Sequence, residues 1–430
     1  MVNKIKFLIA GLFLSVLYTN AQLNTASPYS RFGLGELVQP GFAPNLALGG
    51  TGIANRSSGT INYLNPASLT AIDSMSFLFD FGLNYSNVRY RSDDYKTKLD
   101  NFNIDHVAIG FPVTKWWKSS VAVMPFSRVG YTIKEANLLP SIGLTDYYYE
   151  GSGGISKILI GNGFNIGKEF SVGLNFNYLF GNLNHLQRVN FPADPYAAAT
   201  YTQNNLRVEG MVFNFGVQYR KEIMEKYFVT LGAIYDNKAK LKGINNFSQN
   251  VYFPGAAAST PDSVVVNPNY TLDSDTINGR VTYPRRIGFG LSLGIKDKLT
   301  LSGDYSTQEW SKALVMGASD SLKDSKSVNV GLEYIPGNKG SIKKYYGRVS
   351  YRLGGYYTNS YLVLRGNQLK DYGITFGAGL PFRNTKTSLN LGLVLGQRGT
   401  LEKGLIKENY MIFNVSLTFH DLWFFKTVID

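Results

Sequence analysis

Large apolar residues alternate with polar or small ones along most of the chain after about residue 74. In "FLFDFGLNYS" (residues 77–86), every odd-numbered position holds Phe, Leu or Tyr, and the even positions are mostly polar or small. "FSVGLNFNYLF" (170–180) and "IFNVSLTFH" (412–420) repeat this rhythm. A period of two, sustained over about ten residues with one apolar face, is typical of transmembrane β-barrel strands.

The pattern predicts an all-β membrane protein, a 14-stranded antiparallel transmembrane β-barrel. The strand number is even, as single-chain bacterial barrels require. A soluble β-sandwich is the alternative, but its core would have to accept strand faces that are too hydrophilic. The predicted strands lie near residues 74–90, 99–114, 116–133, 149–167, 169–188, 204–221, 226–247, 270–296, 297–316, 325–337, 342–358, 370–382, 385–399 and 407–422.

The connections between these segments also alternate. Links after even-numbered strands are tight and basic, such as "TKWWK" and "IGKE". Links after odd-numbered strands are predicted to be longer and more polar, the longest running from about 247 to 270. Short periplasmic turns and long outer loops follow this scheme. We expect the lysines of the tight turns to contact outer-membrane lipid phosphates and a set of aromatic residues to form the inner girdle: Trp116, Trp117, Tyr345, Tyr346 and Trp423.

The first residues predict export. Lys4 and Lys6 precede an apolar run that ends at Leu17, and a small residue, Ala21, follows. This is the layout of a secretory signal peptide, residues 1–21; a buried N-terminal helix is the alternative. No later stretch reaches the ~18 consecutive apolar residues of a spanning helix.

Composition narrows the possible chemistry. The chain has no cysteine, which excludes disulfides, thiolate metal sites and cysteine nucleophiles. Its net charge is +13. Because the chain is exported, we expect the excess to meet anionic lipid or an acidic protein surface, and we expect no nucleic-acid partner.

Residues 22–73 show no strand alternation and precede the barrel at 74–430. Asn65 is suited to cap a short helix and Pro66 to begin it. A barrel of this size has a lumen that its own side chains do not fill. The segment is rich in small residues, so we predict that it folds back as an N-terminal plug (hatch) with a short helix.

The predicted inward face is polar. Its charged members are Asp80, Asp304, Glu333, Arg348 and Arg352. The two arginines are candidates to clamp a carboxylate, and the plainer alternative is ion pairing with Glu333, Asp304 or the plug. In the clearest strands only Leu78, Leu179 and Val394 are inward and apolar, which argues against a continuous apolar tunnel unless loops and plug supply one near the outer rim.

Inward-facing glycines mark one part of the predicted wall. Strand glycine often indicates close approach of another backbone. We therefore expect the plug to pack there, with Ala67 near Gly377; the alternative is that the glycines let strands curve. These glycines are Gly288, Gly290, Gly294, Gly373, Gly377, Gly379, Gly392 and Gly396.

Catalytic chemistry is not expected. Asp105 and His106 are adjacent, and neighbours along a strand point to opposite faces, so they are predicted not to pair. His185 and His420 belong to no metal-ligand pattern. The sequence therefore predicts neither an enzyme nor a cofactor or metal site.

One region resembles a known family. "LGGTGIA" (48–54) followed by Asn-Pro-Ala, just ahead of the first strand, resembles the FadL-type outer-membrane transporters of long-chain fatty acids. "SPYSRFGLGEL", "EWS" and "DYGITFGAGLPF" look like its Bacteroidota branch. The matching positions are Gly49, Gly50, Gly52, Ala54, Asn65, Pro66, Ala67 and Leu69.

The resemblance implies a barrel of the bacterial outer membrane, with an N-terminal hatch and passive uptake of hydrophobic molecules such as fatty acids. The same architecture also looks like the barrel subunit of type IX secretion machinery. A structural or docking subunit of an outer-membrane secretion or assembly complex, bound to partner proteins, is therefore the alternative function; fold transfers more safely than cargo.

Overall fold

The computed structural model describes residues 25, 27–93, 95–140, 142–194, 197–252, 270–318, 322–337, 344–383 and 385–422. The predicted signal peptide, Trp423 and most of the longest predicted outer loop lie outside these residues.

Antiparallel strands make up most of the described chain. Their bounds are β1 (Ser76–Arg91), β2 (Lys96–Pro112), β3 (Trp117–Leu139), β4 (Gly143–Ile166), β5 (Phe170–Asn190), β6 (Ala199–Ile223), β7 (Tyr227–Asp236 and Ala239–Tyr252), β8 (Tyr270–Tyr283 and Arg286–Ile295), β9 (Leu299–Gln308), β10 (Ser325–Tyr334), β11 (Ser350–Leu364), β12 (Asn367–Pro381), β13 (Ser388–Arg398) and β14 (Lys407–Leu422).

These strands close into a barrel. Each pairs with its neighbours along the chain, and β14 pairs with β1 from Lys407↔Arg91 to Leu422↔Ser76. β7 and β8 are each broken once, yet both pieces of β7 pair with β6, so each counts as one strand. The predicted 14-stranded antiparallel barrel is confirmed.

The predicted faces are confirmed as well. In β1, Leu78, Asp80 and Asn84 are buried, and Phe79 and Tyr85 are exposed on the outer surface. The backbone hydrogen bonds are made between strands, so the outer surface can present apolar side chains to lipid. Within the described residues no helix is long and apolar enough to span a membrane.

The two ends of the barrel differ. The inner end, where β1 begins and β14 ends, has tight turns at 167–169, 224–226 and 296–298. The prediction that outer links are longer was wrong for 140–142 and 365–366. At the first of these the strands themselves are long: β3 and β4 have 23 and 24 residues, whereas about 9–11 residues cross a bilayer. Polypeptide that the pattern assigned to a loop therefore continues as paired strand.

Before the barrel, short elements make up the N-terminal segment, which we define as residues 27–73. It holds a 3-10 helix (Pro28–Arg31), a two-residue strand (Glu36–Leu37), one α-helical turn (Ala43–Leu46) and a second 3-10 helix (Pro66–Ala71). Most of its residues are buried.

Apolar side chains from this segment meet inward-facing side chains of the barrel. Phe42, Ile61 and Leu69 pack with Leu78 and Leu159 in one cluster. A second cluster fills the outer half of the lumen and includes Tyr29, Leu34, Leu179, Tyr283, Trp310 and Tyr361. The interior is thus more apolar near the outer rim than the clear strands alone suggested.

Candidate functional site: the N-terminal segment and its cavities

Asn65 organises the end of the N-terminal segment. Its side-chain oxygen accepts a 3.0 Å hydrogen bond from the N–H of Ala67 and caps the 3-10 helix. Its amide nitrogen donates to the carbonyls of Ile53 at 2.7 Å and Val217 at 3.1 Å. One side chain therefore joins the Asn-Pro-Ala triplet, the "GGTGIA" stretch and the barrel wall.

The "GGTGIA" stretch is held by two strands of the barrel wall, β9 and β12. Gly49 and Gly50 have φ of +69° and +83°, a left-handed turn that suits glycine. The Gly49 N–H donates to Thr375 Oγ1 at 2.9 Å on β12. The N–H groups of Gly52 and Ile53 donate to Asp304 Oδ2 on β9, at 2.7 and 2.9 Å.

Glycines let the N-terminal segment approach the wall at backbone distance. A Cβ at Gly232 would lie 2.2 Å from the Ile53 carbonyl oxygen, and one at Gly354 would lie 2.3 Å from the Gly49 nitrogen. A Cβ at Gly173 would lie 2.5 Å from the Ala67 nitrogen. Ala67 therefore packs on β5, and its predicted place near Gly377 on β12 was wrong.

The prediction that the N-terminal segment packs on the inward-facing glycines is confirmed for four of the eight. Gly288 and Gly290 face Ile53, while Gly377 and Gly392 face Ala47. The remaining four glycines make room for other residues of the barrel strands and not for the N-terminal segment. Gly373 and Gly396 make room for the hydroxyl of Tyr356, Gly379 for Arg352 and Gly294 for the Leu299 carbonyl.

The predicted arginine clamp does not form. Arg352 Nε donates to Glu333 Oε2 at 2.7 Å, and Arg352 Nη1 donates to Asn390 Oδ1 at 3.0 Å. Arg348 lies in a 3-10 helix, Tyr345–Arg348, ahead of β11, with its guanidinium 5.5 Å from the Tyr345 ring centre. The strand predicted at 342–358 begins only at Ser350, so Arg348 belongs to the inner turn.

A buried ionic network fixes the first part of the N-terminal segment. Arg398 on β13 contacts Glu36 at 2.6 Å, Asp371 at 3.1 Å and Glu408 at 3.6 Å. Ser27 Oγ donates to Glu408 at 2.6 Å. One cation therefore balances three carboxylates at the boundary between the segment and β12–β14.

A second buried network corrects the prediction about Asp105 and His106. The pairing of β1 with β2 shifts between Gly82 and Leu83, and this bulge leaves Asp105 unpaired. Both side chains then turn inward, and His106 Nδ1 lies 2.8 Å from Asp105 Oδ2. His106 Nε2 lies 3.3 Å from Asp80 Oδ1, and Phe42 stacks on the imidazole with ring centres 3.6 Å apart.

The barrel wall has a gap between β2 and β3. The two strands pair only from Val107↔Val123 to Pro112↔Lys118. Beyond these pairs β2 continues with β1 and β3 with β4. Pro125 and a register shift after it lie where the pairing stops, and proline removes a donor from the ladder.

The N-terminal segment occupies the free edge of β3 in this gap. Glu36 and Leu37 pair antiparallel with Arg128 and Ser127. The Val38 N–H donates to the Phe126 carbonyl at 3.0 Å. The gap is thereby partly covered from inside by the chain's own backbone.

A cavity of about 310 Å³ lies between the N-terminal segment and the outer half of the barrel. One side of it is apolar, formed by Leu179, Val212, Tyr283, Tyr361 and Leu362. The charged residues of its lining are Lys157, Arg286 and Arg398 together with Glu36, Asp236, Asp304 and Asp371. Among the ion pairs of the described residues, none includes Lys157 or Arg286; Lys157 Nζ instead lies 4.7 Å above the Tyr63 ring.

The four predicted girdle residues within the described chain lie at the inner end. Trp116 and Trp117 contact Phe164 at ring distances of 6.0 and 5.9 Å. Tyr345 and Tyr346 are half exposed in the turn before β11. No grouping of three or more potential metal ligands occurs in the described part of the chain.

Arg398, Glu36 and Lys157 were not predicted from the sequence pattern. Arg398 and Glu408 do stand directly across β13 and β14. The contact with Glu36 joins residues 362 positions apart, so nothing local in the sequence signals it.

The closed barrel, its inward N-terminal segment and the wall gap define a FadL-type barrel of the bacterial outer membrane. Solved structures with this fold include the P. putida toluene transporter TodX, at 13% identity and a TM-score of 0.59, covering 90% of this chain and all of that one. The CymD monoaromatic hydrocarbon channel has 14% identity, a TM-score of 0.55 and coverage of 90% and 98%. A Pseudomonas aeruginosa FadL homologue has 13% identity and a TM-score of 0.56, and the match covers 90% of this chain and 99% of that one.

At these identities the likeness shows the fold alone. The family model BamG matches residues 1–430, and the chain belongs to the BamG family. No curated protein matches the chain.

Proposed function

We propose that the outer cavity binds a hydrophobic small molecule carrying an anionic group, such as a fatty acid, as a step in passive uptake. The observation that carries this proposal is the cavity of about 310 Å³ with an apolar side facing Lys157 and Arg286. Ligand sites are commonly cavities of at least ~300 Å³ with an apolar lining and a few placed polar groups. The wall gap supports lateral entry or exit next to the N-terminal segment (27–73), which belongs to the plug predicted over residues 22–73.

Two of the structural neighbours are a toluene transporter and a monoaromatic hydrocarbon channel. In this chain Lys157 and Arg286 lie in the cavity lining, and we expect these two cations to favour an amphipathic ligand over a plain hydrocarbon. A carboxylate between them would form charge-assisted hydrogen bonds, which are about twice as strong as neutral ones.

Laurate binding to the purified full-length barrel tests this proposal. Titration calorimetry should give saturable binding that weakens at least tenfold in K157Q and in R286Q. Lys168→Gln, in an inner turn outside the cavity, is the matched control and should bind as the unchanged protein does. Absence of laurate binding, or equal binding by all variants, would contradict the proposal.

A second function is supported by different observations: a non-transporting subunit of an outer-membrane secretion or assembly complex. The N-terminal segment is anchored on several sides of the lumen by Asp304, Thr375 and Arg398. Such anchoring favours a fixed plug over one that opens. The name of the BamG family is in keeping with this role.

The mass of the protein extracted from the membrane distinguishes the transporter from the complex subunit. The full chain has a mass of about 48 kDa, and removal of the predicted signal peptide leaves about 45 kDa. Extraction in mild detergent followed by native mass measurement should therefore give a barrel of about 45 kDa for an independent transporter. A stable larger assembly of defined composition would favour the subunit role.

A further inference from the structure

A second, basic pocket lies at the inner mouth of the barrel, on the opposite side of the N-terminal segment from the outer cavity. Its volume is about 380 Å³. About half of its lining residues belong to the N-terminal segment, among them Pro44, Leu48 and Arg56, and strands β6 to β11 with their inner turns provide the others. We call it the inner pocket. Its charged lining residues are Arg56, Arg220, Lys296, Lys298 and Arg352 against Asp297 and Glu333.

Arg56 is held in this pocket by neutral groups. Its Nη1 donates to Ser171 Oγ at 3.0 Å and Gln218 Oε1 at 3.1 Å, and its Nη2 donates to Thr70 Oγ1 at 2.8 Å. No ion pair of the described residues includes Arg56. Burial and the nearby Arg220 lower the pKa of Arg56 to about 10, so the side chain is still charged at neutral pH.

The other cations of the inner pocket share few carboxylates. Arg352 pairs with Glu333 at 2.7 Å. Arg220 and Lys296 both contact Glu222, at 3.6 and 3.1 Å. The pocket therefore keeps a positive excess around Arg56. A partly buried cation without a counter-ion is costly, and an incoming anion would relieve that cost.

We propose that the inner pocket binds the carboxylates of an acidic, extended segment of a periplasmic protein. The pocket lies inside the ring of strands, so the barrel wall separates it from the headgroups of the surrounding lipid. Leu48, Phe228 and Ile335 add apolar surface beside the cations, which suits a peptide better than a free inorganic anion. This proposal goes beyond uptake and does not depend on it.

Fluorescence anisotropy with fluorescein-labelled hexaglutamate tests the proposal on the full-length barrel in detergent. Binding should weaken at least tenfold in R56Q, because a hydrogen bond to a charged group is lost. Arg56→Lys should recover part of the affinity. Arg220→Gln provides a second variant in case Arg56→Gln disturbs the N-terminal segment, and Lys115→Gln, an exposed lysine of another inner turn, is the control and should change binding less than twofold.

Equal binding by the unchanged protein and by both arginine variants would overturn the proposal, because attraction would then come from diffuse surface charge. Displacement of hexaglutamate by an equal concentration of inorganic phosphate would assign the pocket to phosphate, and displacement by phosphatidylglycerol micelles would assign it to lipid. Either result also overturns it. If the outer cavity functions as proposed, these variants should bind laurate as the unchanged protein does. Either proposal can therefore be contradicted while the other is supported.

Discussion

Arg398 Nη1 on β13 donates a 2.6 Å hydrogen bond to Oε1 of Glu36 in the N-terminal segment. The same guanidinium contacts Asp371 and Glu408. It is the cation that holds the first part of the segment to the barrel, at a point where the segment also pairs with the free edge of β3.

Replacing this cation should loosen the segment. R398Q leaves three carboxylates close together and largely buried, and breaking a buried pair costs about 3–5 kcal/mol. We expect a lower temperature for the heat-induced gel shift and faster cleavage of residues 27–73 by added protease. Exposed Arg89 on β1 supplies the control R89Q, which should behave like the unchanged protein. Unchanged protease resistance in R398Q would contradict the anchoring role.

Close backbone approach at Gly232 gives a second prediction. Gly232→Val places side-chain atoms where the Ile53 carbonyl lies, and overpacking of this kind costs about 1–3 kcal/mol. Gly59→Ala is the matched control inside the segment, because nothing lies within 4 Å of its added Cβ. Thermal stability should fall in the first variant and stay constant in the second. A G232V barrel as stable as the unchanged protein would mean that the segment does not pack on β7.

The coverage of the wall gap can be tested by cross-linking, since the chain has no cysteine. Leu37 and Ser127 face each other across the short strand pair, so the double variant L37C/S127C should form a disulfide under mild oxidation. The control pair L37C/S292C joins the same segment position to the inner pocket and should remain reduced. Equal oxidation of both pairs would show that the segment does not hold the β3 edge.

His106 lies between Asp80 and Asp105 in the lumen wall. His106→Ala should destabilise the barrel by about 1–3 kcal/mol, because it leaves two buried carboxyl groups without the imidazole that they contact. Adding Asp80→Asn replaces one of those carboxyl groups by a neutral amide and should restore part of the stability, as read from the heat-induced gel shift. No recovery in the double variant would mean that packing on Phe42 is the main contribution of His106.

Much of the fold follows from the sequence because barrel strands are specified locally. The alternation in 77–86, 170–180 and 412–420 is imposed by one lipid face and one inner face, so those strands were predicted correctly. The start of β11 was misplaced because Arg348 and Val349 extend the alternation of the strand, whereas Tyr345–Arg348 form a 3-10 helix and not a paired strand.

The site was less predictable because it is assembled from distant contacts. The helix cap at Asn65 is a local signal. The bulge at Asp105 depends on how β1 and β2 align, and the Glu36–Arg398 contact depends on closure of the whole barrel. A single sequence carries no local record of either.

Single-channel conductance in a planar bilayer shows whether the N-terminal segment closes the barrel. The intact chain should give no steady current, and deletion of residues 27–73 should produce large, persistent openings, because a fourteen-stranded lumen without its N-terminal segment is not filled by its own side chains. Steady currents of similar size from both proteins would contradict the claim that this segment closes the barrel.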